Sequence, residues 1–229
     1  MKRKVVFYSE LAYVLGIVFL AFGTALMERA DLGISMVVAP AYLLHLQISK
    51  TLPIFSFGMA EYVLQAVLLI VLSLVLRKGK ISYLFSFFTA VFYGLVLDLF
   101  IMILGLAPND SIGLRSLLYL SGMLLCSIGV AFLFHTYISP EAYELFVKEI
   151  SAKCGYRIDR VKTIYDCCSC LIGVILSFTF FGFGHFEGVK LGTIFCALIN
   201  GWLIGQIGHA MEAAFIFKDA FSFRKLFDH

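Results

Sequence analysis

The strongest constraint on the fold is a series of six long apolar segments. A helix needs roughly 20 apolar residues to cross the ~30 Å hydrocarbon core of a bilayer. The chain is 61% hydrophobic and only 14% charged, which excludes a soluble globular protein. We therefore predict an all-α integral membrane protein embedded in the lipid bilayer. The six predicted spans cover residues 5–27, 57–76, 81–106, 114–138, 161–183 and 189–217.

A further segment, 32–52, is apolar but is interrupted by Pro40, His45 and Lys50 and is followed by Pro53. Proline ends or kinks a helix because it lacks the backbone N–H group. We predict that this segment is re-entrant, and a full span is left open.

Another segment, 139–153, carries too much charge to cross lipid as a plain span. Its apolar residues recur with a helical period, so it is predicted to be an amphipathic helix. Ser139 is the expected N-cap, with Pro140 at the first helical position. The apolar face consists of Tyr143, Phe146, Val147 and Ile150.

Orientation follows from the Lys and Arg residues, which are enriched in cytoplasmic loops. With six spans and a cytoplasmic N-terminus, 14 of the 18 Lys and Arg residues lie on the cytoplasmic side. A seventh span at 32–52 would leave 6 inside and 12 outside. We therefore predict six spans with both termini in the cytoplasm.

The two halves of the chain are related. Shifts of 103 to 107 residues superimpose small and aromatic residues of one half on the same residues of the other. The matched pairs include Gly16 with Gly122, Gly23 with Gly129, Tyr62 with Tyr165 and Gly94 with Gly201.

Three spans in each half would insert the second copy upside down relative to the first. We predict two inverted three-helix repeats, residues 1–110 and 111–229, each with a short re-entrant or amphipathic helix after its first span. Such repeats are typical of secondary transporters, whose sites lie near the midplane. A duplication that only builds a stable bundle is the alternative.

Short Gly-rich motifs occur in the same order in both halves. In the first they are Gly23-x-Ala25-Leu26, 29–35, Phe57-Gly58, Ile81-Ser82-Tyr83 and Gly94 with Asp98; in the second, Gly129-Val-Ala131, Ser139-Pro140, Arg160, 188–193 and Gly201. Over nearly the whole chain they resemble the YczE/YyaS/YitT-like family of bacterial integral membrane proteins, whose function is poorly defined. The resemblance implies a multi-pass protein of the bacterial plasma (inner) membrane, often guessed to be a transporter. Residues 35–40 depart from the family's Pro-Trp-Asp pattern.

Polar residues in the third and sixth spans are candidate pore residues, because ionisable groups at membrane depth are costly and usually functional. Asp98 is predicted to bind substrate or a coupling ion, and a structural partnership with a hydroxyl or amide is the alternative. Asn200 and Gln206 are predicted to bind substrate. His209 and Glu212, three residues apart, are predicted to form a proton-coupling pair or an interfacial pair.

Glu61 and Gln65 lie one turn apart in the second span, and Tyr165 and Asp166 are their counterparts in the fifth. Either pair is predicted to line a vestibule. The alternative is that these residues are hydrated at head-group depth. Glu61 is retained as a candidate substrate-binding residue.

Ser35 and Ser139 lie where a span ends and a short helix is predicted to begin, and His135 precedes the second of these breaks. Free backbone N–H groups at such helix starts favour an anionic ligand. We predict that these three residues bind substrate, with ordinary capping as the alternative.

Enzymatic and metal chemistry lack a sequence basis. The six cysteines include Cys167, Cys168 and Cys170; on a helix the first and third share a face but Cys168 points elsewhere, and packing explains them better. No catalytic or nucleotide-binding motif is present. We predict no enzymatic activity, no metal, no cofactor and no nucleic-acid partner.

The sequence thus predicts a secondary transporter or exporter of a small polar solute, anionic or zwitterionic in character, with proton coupling as one option. The alternative is a non-transporting sensor or a membrane subunit that binds a partner protein. Whether the chain forms a homodimer is left open.

Overall fold

The computed structural model describes residues 4–77, 80–105, 111–184 and 186–221. Within these ranges six helices are long and apolar enough to cross a membrane, so the chain is a multi-pass membrane protein as predicted. These helices are α1 Ser9–Ala30, α3 Phe57–Leu76, α4 Ile81–Leu104, α5 Ile112–Phe134, α7 Ile158–Phe181 and α8 Leu191–Ala214. The predicted boundary between the halves at residue 110 and the predicted end of the third span at 106 lie outside the described residues.

Two shorter helices, α2 Ala39–Ile48 and α6 Ala142–Cys154, follow α1 and α5. The predicted start of α6 was wrong, because Glu141 and not Ser139 occupies the N-cap position. The carbonyl oxygens of Ser139 and Pro140 accept hydrogen bonds from hydroxyl groups of α4, at 2.9 and 2.6 Å. These bonds hold both residues outside the helix.

The predicted amphipathic character of α6 holds only for its second half. All of its first four residues are buried, including Glu144, which the sequence pattern assigned to the charged face. Exposure begins toward the end of the helix. The first turns of α6 are therefore part of the protein interior.

The ends of the first and last predicted spans form two short strands instead of helix, β1 Val5–Tyr8 and β2 Phe215–Lys218. They pair in parallel, with Val5 opposite Phe215. β-Branched and aromatic residues dominate both strands, as β-structure favours. This pairing places the start of α1 and the end of α8 on one side of the bundle, which we call the strand side. The opposite side, where α1 ends, is called the far side.

Helices α1 and α5 cross in antiparallel orientation at the centre of the bundle. Gly23 faces Gly122, and Gly16 faces Gly129. A Cβ atom on Gly23 would lie 2.6 Å from the carbonyl oxygen of Gly122, and one on Gly129 would lie 2.7 Å from that of Gly16. Only glycine permits so close an approach of two backbones.

The remaining helices pack in corresponding pairs. Helix α1 packs against α4, and α5 packs against α8. Both short helices bridge α3 and α7, α2 toward the far side and α6 toward the strand side. The space between α3 and α7 is therefore closed from both sides by the short helices and the loops that precede them.

Candidate functional site

A buried polar cluster lies where the start of α6 meets α3. Glu61 and Gln65, one turn apart on α3, are both completely buried. The Nε2 group of Gln65 donates to Oε2 of Glu61 at 3.2 Å and to Oε2 of Glu141 at 3.1 Å. Its Oε1 atom accepts from the backbone N–H of Ala142 at 3.0 Å. The hydroxyl of Tyr143 donates to Oε2 of Glu61 at 2.9 Å.

The cluster continues along α7 through Lys162. Its ammonium group lies 3.0 Å from Asp166 and 3.4 Å from Glu144, and all three side chains are at most 3% exposed. Asp166 accepts a hydrogen bond from Nδ2 of Asn200 at 3.4 Å, and Oδ1 of Asn200 accepts from Ser127 at 2.8 Å. A continuous polar network therefore links α5, α6, α7 and α8.

The cluster contains more acidic than basic groups. Four carboxyl groups, those of Glu61, Glu141, Glu144 and Asp166, share one ammonium group. Removing a charge from water costs several kcal/mol unless it is well paired, so a carboxyl group of this cluster without a charged partner is more stable in its protonated form. Burial, followed by the neighbouring carboxyl groups of Glu144 and Glu61, raises the pKa of Glu141 well above its ordinary value. Four carboxyl oxygens, one each on Glu61, Glu141, Glu144 and Asp166, lack a hydrogen-bond partner among the described residues; that of Asp166 is the oxygen that pairs with Lys162.

A small cavity of about 20 Å³ adjoins the cluster. That volume accommodates a single water molecule. Tyr93 and Asn200, which line it, lie near the midpoints of α4 and α8, so the cavity is at mid-depth in the bundle. Its polar lining residues are Thr24, Ser35, Tyr93, Glu141, Tyr143, Glu144, Lys162 and Asn200.

Two larger pockets lie on the strand side, with volumes of about 440 and 330 Å³. The smaller of them reaches Lys162, and His135, Asp159, His209 and Glu212 also line it. Lys162 lines the mid-depth cavity as well. Its side chain therefore separates the strand-side pocket from the buried cluster.

The far side is closed by ion pairs around Asp31, which follows α1. Asp31 pairs with Lys190, and it also pairs with Arg115 at 3.0 Å. Below these contacts, the backbone N–H of Ile34 donates to Gly188 at 2.9 Å. The loop after α1 is thus fixed to the N-terminal ends of α5 and α8.

Three of the predicted site residues belong to the buried cluster or its cavity. Ser35 and Asn200 line the cavity, and Glu61 is fully buried at the centre of the network. The alternative in which Glu61 and Gln65 are hydrated at head-group depth is wrong, because neither side chain is exposed.

Other predicted binding residues lie outside the cluster. Asp98 accepts hydrogen bonds from the hydroxyl of Ser56 at 2.6 Å and from the backbone N–H of Gly58 at 2.9 Å, at the start of α3. Gln206 is exposed, and Ser139 lines the larger strand-side pocket. The predicted roles of these three residues in binding stay predictions.

His135, His209 and Glu212 lie close together on the strand side. Nε2 of His135 lies 3.4 Å from Oε1 of Glu212, and Nδ1 of His209 lies 3.7 Å from Oε2 of the same carboxylate. Glu212 and His209 are both more than 60% exposed. The three residues border the pocket that reaches Lys162. Substrate binding by His135 and proton coupling by His209 and Glu212 stay predictions.

Sequence reasoning missed Glu141, Glu144 and Lys162 as site residues. All three lie in segments whose charge was attributed to a solvent-exposed helix face or to a cytoplasmic loop. One local signal was present, since Lys162 and Asp166 are four residues apart and face the same side of an apolar helix.

We find no cysteine-based or metal-binding centre in the part of the chain that the structure describes. No group of three or more His, Cys, Asp or Glu side chains there is placed to hold a metal ion. Cys167 and Cys168 are exposed, whereas Cys170 is buried.

Comparison with known proteins gives one match. A family model described as a family of unknown function (DUF6198) matches residues 7–209. No curated protein and no solved structure matches the chain. The resemblance to YczE/YyaS/YitT-like proteins therefore stays a prediction.

Proposed function

The chain belongs to DUF6198, a family of unknown function, and from its geometry we propose that it is a secondary transporter of a small polar solute. One observation carries this proposal. A cluster of buried ionisable side chains lies at mid-depth, next to a pocket on the strand side and beneath ion pairs on the far side. Ionisable groups at that depth in a membrane are costly and mark substrate or ion pathways.

The proposed mechanism is alternating access. In the present conformation the pocket beside Lys162 faces the strand side, and Asp31, Arg115 and Lys190 close the far side. Opening to the far side would break these ion pairs and close the strand-side pocket. The solute would bind between Lys162 and Asn200, where the pocket and the cavity meet.

The packing of the helices supports two inverted repeats as the moving parts. The antiparallel α1–α5 crossing brings together glycines that correspond between the two halves. The loop after α1 bonds to α7 and α8, through Ser169 and Thr193. The loop after α5 bonds to α3 and α4, through Gln65 and Thr89. Each loop thus contacts the last two helices of the opposite half, as an inverted pair requires.

We further propose that the strand side is cytoplasmic, in the plasma (inner) membrane of a bacterium. The positive-inside rule supports this orientation, because the strand-side segments carry most of the Lys and Arg residues. The conformation described above would then be inward-facing.

The proposal is tested in two steps. Thermal stability of the purified protein is first measured with a panel of amino acids, organic acids, vitamins and amines, since a ligand of the folded state raises apparent stability. Uptake of each stabilising compound is then measured in proteoliposomes. We expect at least one compound to stabilise the protein and to be transported.

Matched amide variants locate the binding site. Asn200→Ala removes a buried amide of the cavity and is expected to abolish both stabilisation and uptake. Gln47→Ala removes a partly exposed amide on α2, whose oxygen accepts a hydrogen bond from Lys50 at 2.9 Å, and is expected to leave both unchanged. Equal uptake by wild type, Asn200→Ala and empty liposomes would contradict the proposal.

A further inference from the structure

The carboxyl groups of the buried cluster are unequally stabilised. Lys162 neutralises the charge nearest to it by pairing with Asp166 and Glu144. Glu61 accepts hydrogen bonds from both Tyr143 and Gln65. Asp166 and Glu144 are therefore stabilised by an ion pair, and Glu61 is stabilised by two hydrogen-bond donors.

Glu141 is the least stabilised carboxyl group of the cluster. It accepts one hydrogen bond, from Gln65 at 3.1 Å, and its Oε1 atom has no partner among the described residues. The residue is 1% exposed and lines the mid-depth cavity. An ionised carboxylate in this position would lack the donors that make burial of a charge tolerable.

We propose that Glu141 is a proton-binding site that takes up and releases one proton through the mid-depth cavity, which makes the proton the coupling ion of the transport proposed above. The inference rests on that proposed function. Uptake forms an O–H bond at the unpartnered Oε1 with a proton that a hydronium ion delivers through the cavity, the hydronium ion becoming water, and release reverses the step. No oxidant or reductant takes part.

The charged neighbours explain how a conformational change would move the proton. Like charges on Glu61 and Glu144 favour the protonated form of Glu141, whereas the ammonium group of Lys162 favours the carboxylate. Lys162 also borders the strand-side pocket, so a rearrangement that opens or closes this pocket changes its distance from Glu141. The titratable groups that face Glu141 are Tyr13 on α1, Glu61 on α3, Tyr93 on α4, Cys126 on α5, Tyr143 and Glu144 on α6, and Lys162 on α7.

The geometry favours a proton over a metal cation. The cavity has room for one water-sized species, and the ammonium group of Lys162 lines the same space. A metal ion would be repelled by that charge at short range. A proton neutralises Glu141 without adding a second positive charge to the cavity.

The experiment is an infrared titration of the purified protein in lipid nanodiscs, without any solute. The C=O stretch of protonated carboxyl groups is followed from acidic to alkaline pH. We expect wild type to show a band that titrates above the pH range of solvent-exposed carboxyl groups, and we expect this band to be absent from Glu141→Gln. Glu149→Gln is the matched control, because Glu149 lies on α6 but pairs with Lys80 near the surface at 2.7 Å; it should retain the band.

A second variant keeps the test decisive if Glu141→Gln does not fold. Glu144→Gln removes a like charge next to Glu141 and is expected to lower the midpoint of the band by about one pH unit or more. A midpoint identical to wild type in Glu144→Gln, or a band retained in Glu141→Gln, would overturn the proposal. A midpoint that depends on Na⁺ concentration at constant ionic strength would overturn it in favour of a metal cation.

The infrared titration and the transport assay test the two proposals independently of each other. The infrared band requires no transported solute, so its absence contradicts the proton site whatever the uptake assay gives. A negative uptake assay contradicts the transport function and leaves the titration result unchanged.

Discussion

Replacing Lys162 by methionine tests how much the buried ammonium group stabilises the folded protein. Met is similar in length and apolar, so the substitution removes the charge and retains most of the volume. Lys162 is 1% exposed and holds Asp166 at 3.0 Å and Glu144 at 3.4 Å. Removing one partner of a buried ion pair costs about 3–5 kcal/mol, because the remaining charge is left uncompensated.

The expected loss can be measured as a fall in melting temperature. For a chain of this size about 1 kcal/mol corresponds to roughly 2–4 °C, so Lys162→Met should melt about 6–20 °C below wild type at neutral pH. The measurement is thermal unfolding in detergent micelles, followed by tryptophan and tyrosine fluorescence. Lys153→Met is the control, since Lys153 is exposed and donates a long hydrogen bond of 3.4 Å to a backbone carbonyl group.

The pH dependence of the stability lost in Lys162→Met shows whether uncompensated carboxylates cause the loss. In Lys162→Met the uncompensated carboxylates bind protons more tightly in the folded state than in the unfolded state, so acidification should restore part of the lost stability. Adding Asp166→Asn to Lys162→Met should also restore part of it, because the two residues are coupled. A loss no greater than that of Lys153→Met, or a deficit that grows as the pH falls, would refute this reasoning.

Three further predictions concern the bundle as a whole. Gly23→Ala places a methyl group 2.6 Å from a backbone oxygen and should lower the free energy of unfolding by about 1–3 kcal/mol, measured by thermal unfolding. Gly205→Ala, where the nearest atom is 3.6 Å from the added methyl group, should be nearly neutral. Equal effects of the two substitutions would contradict the close α1–α5 packing. Asp31→Asn removes the far-side ion pairs and should increase hydrogen–deuterium exchange at the far-side ends of α1, α5 and α8. Asp159→Asn removes a strand-side ion pair and should not increase exchange there. Unchanged exchange in Asp31→Asn would show that the ion pairs do not hold the far side closed. Lys50→Cys, in a background without the native cysteines, should react with a membrane-impermeant thiol reagent only from outside the cell; reaction only from the cytoplasm would reverse the proposed orientation.

The spans could be predicted because hydrophobic length is a local property. The predicted bounds of α3 agree with the structure at both residues, and those of the other five spans differ by a few residues at one or both ends. The errors at 5–8 and 215–218 have a shared cause. Each four-residue strand requires a partner more than 200 residues away, and periodicity within a single segment carries no information about such a partner.

The site was harder to predict than the fold for a similar reason. Glu61 was identified because a carboxyl group in an apolar span is conspicuous. Glu141 and Glu144 were not, because their segment also contains exposed charges and resembles a solvated helix. Their burial depends on contacts such as that of Tyr143 with Glu61, 82 residues away. The packing of α6 against α3 and α7 distinguishes its first turns from its exposed last turns.

The pairing of β1 with β2 has a consequence for biosynthesis. Val5 leaves the ribosome long before Phe215, its partner in the sheet, so β1 stays unpaired while every span is being inserted. Contacts so distant in sequence form late in folding. The rings of Phe7 and Phe217 and the stacking of His135 on Phe217 therefore assemble only after α8 is in place. Closing this sheet therefore follows the synthesis of α8, and truncation after α8 would yield a chain whose first strand has no partner.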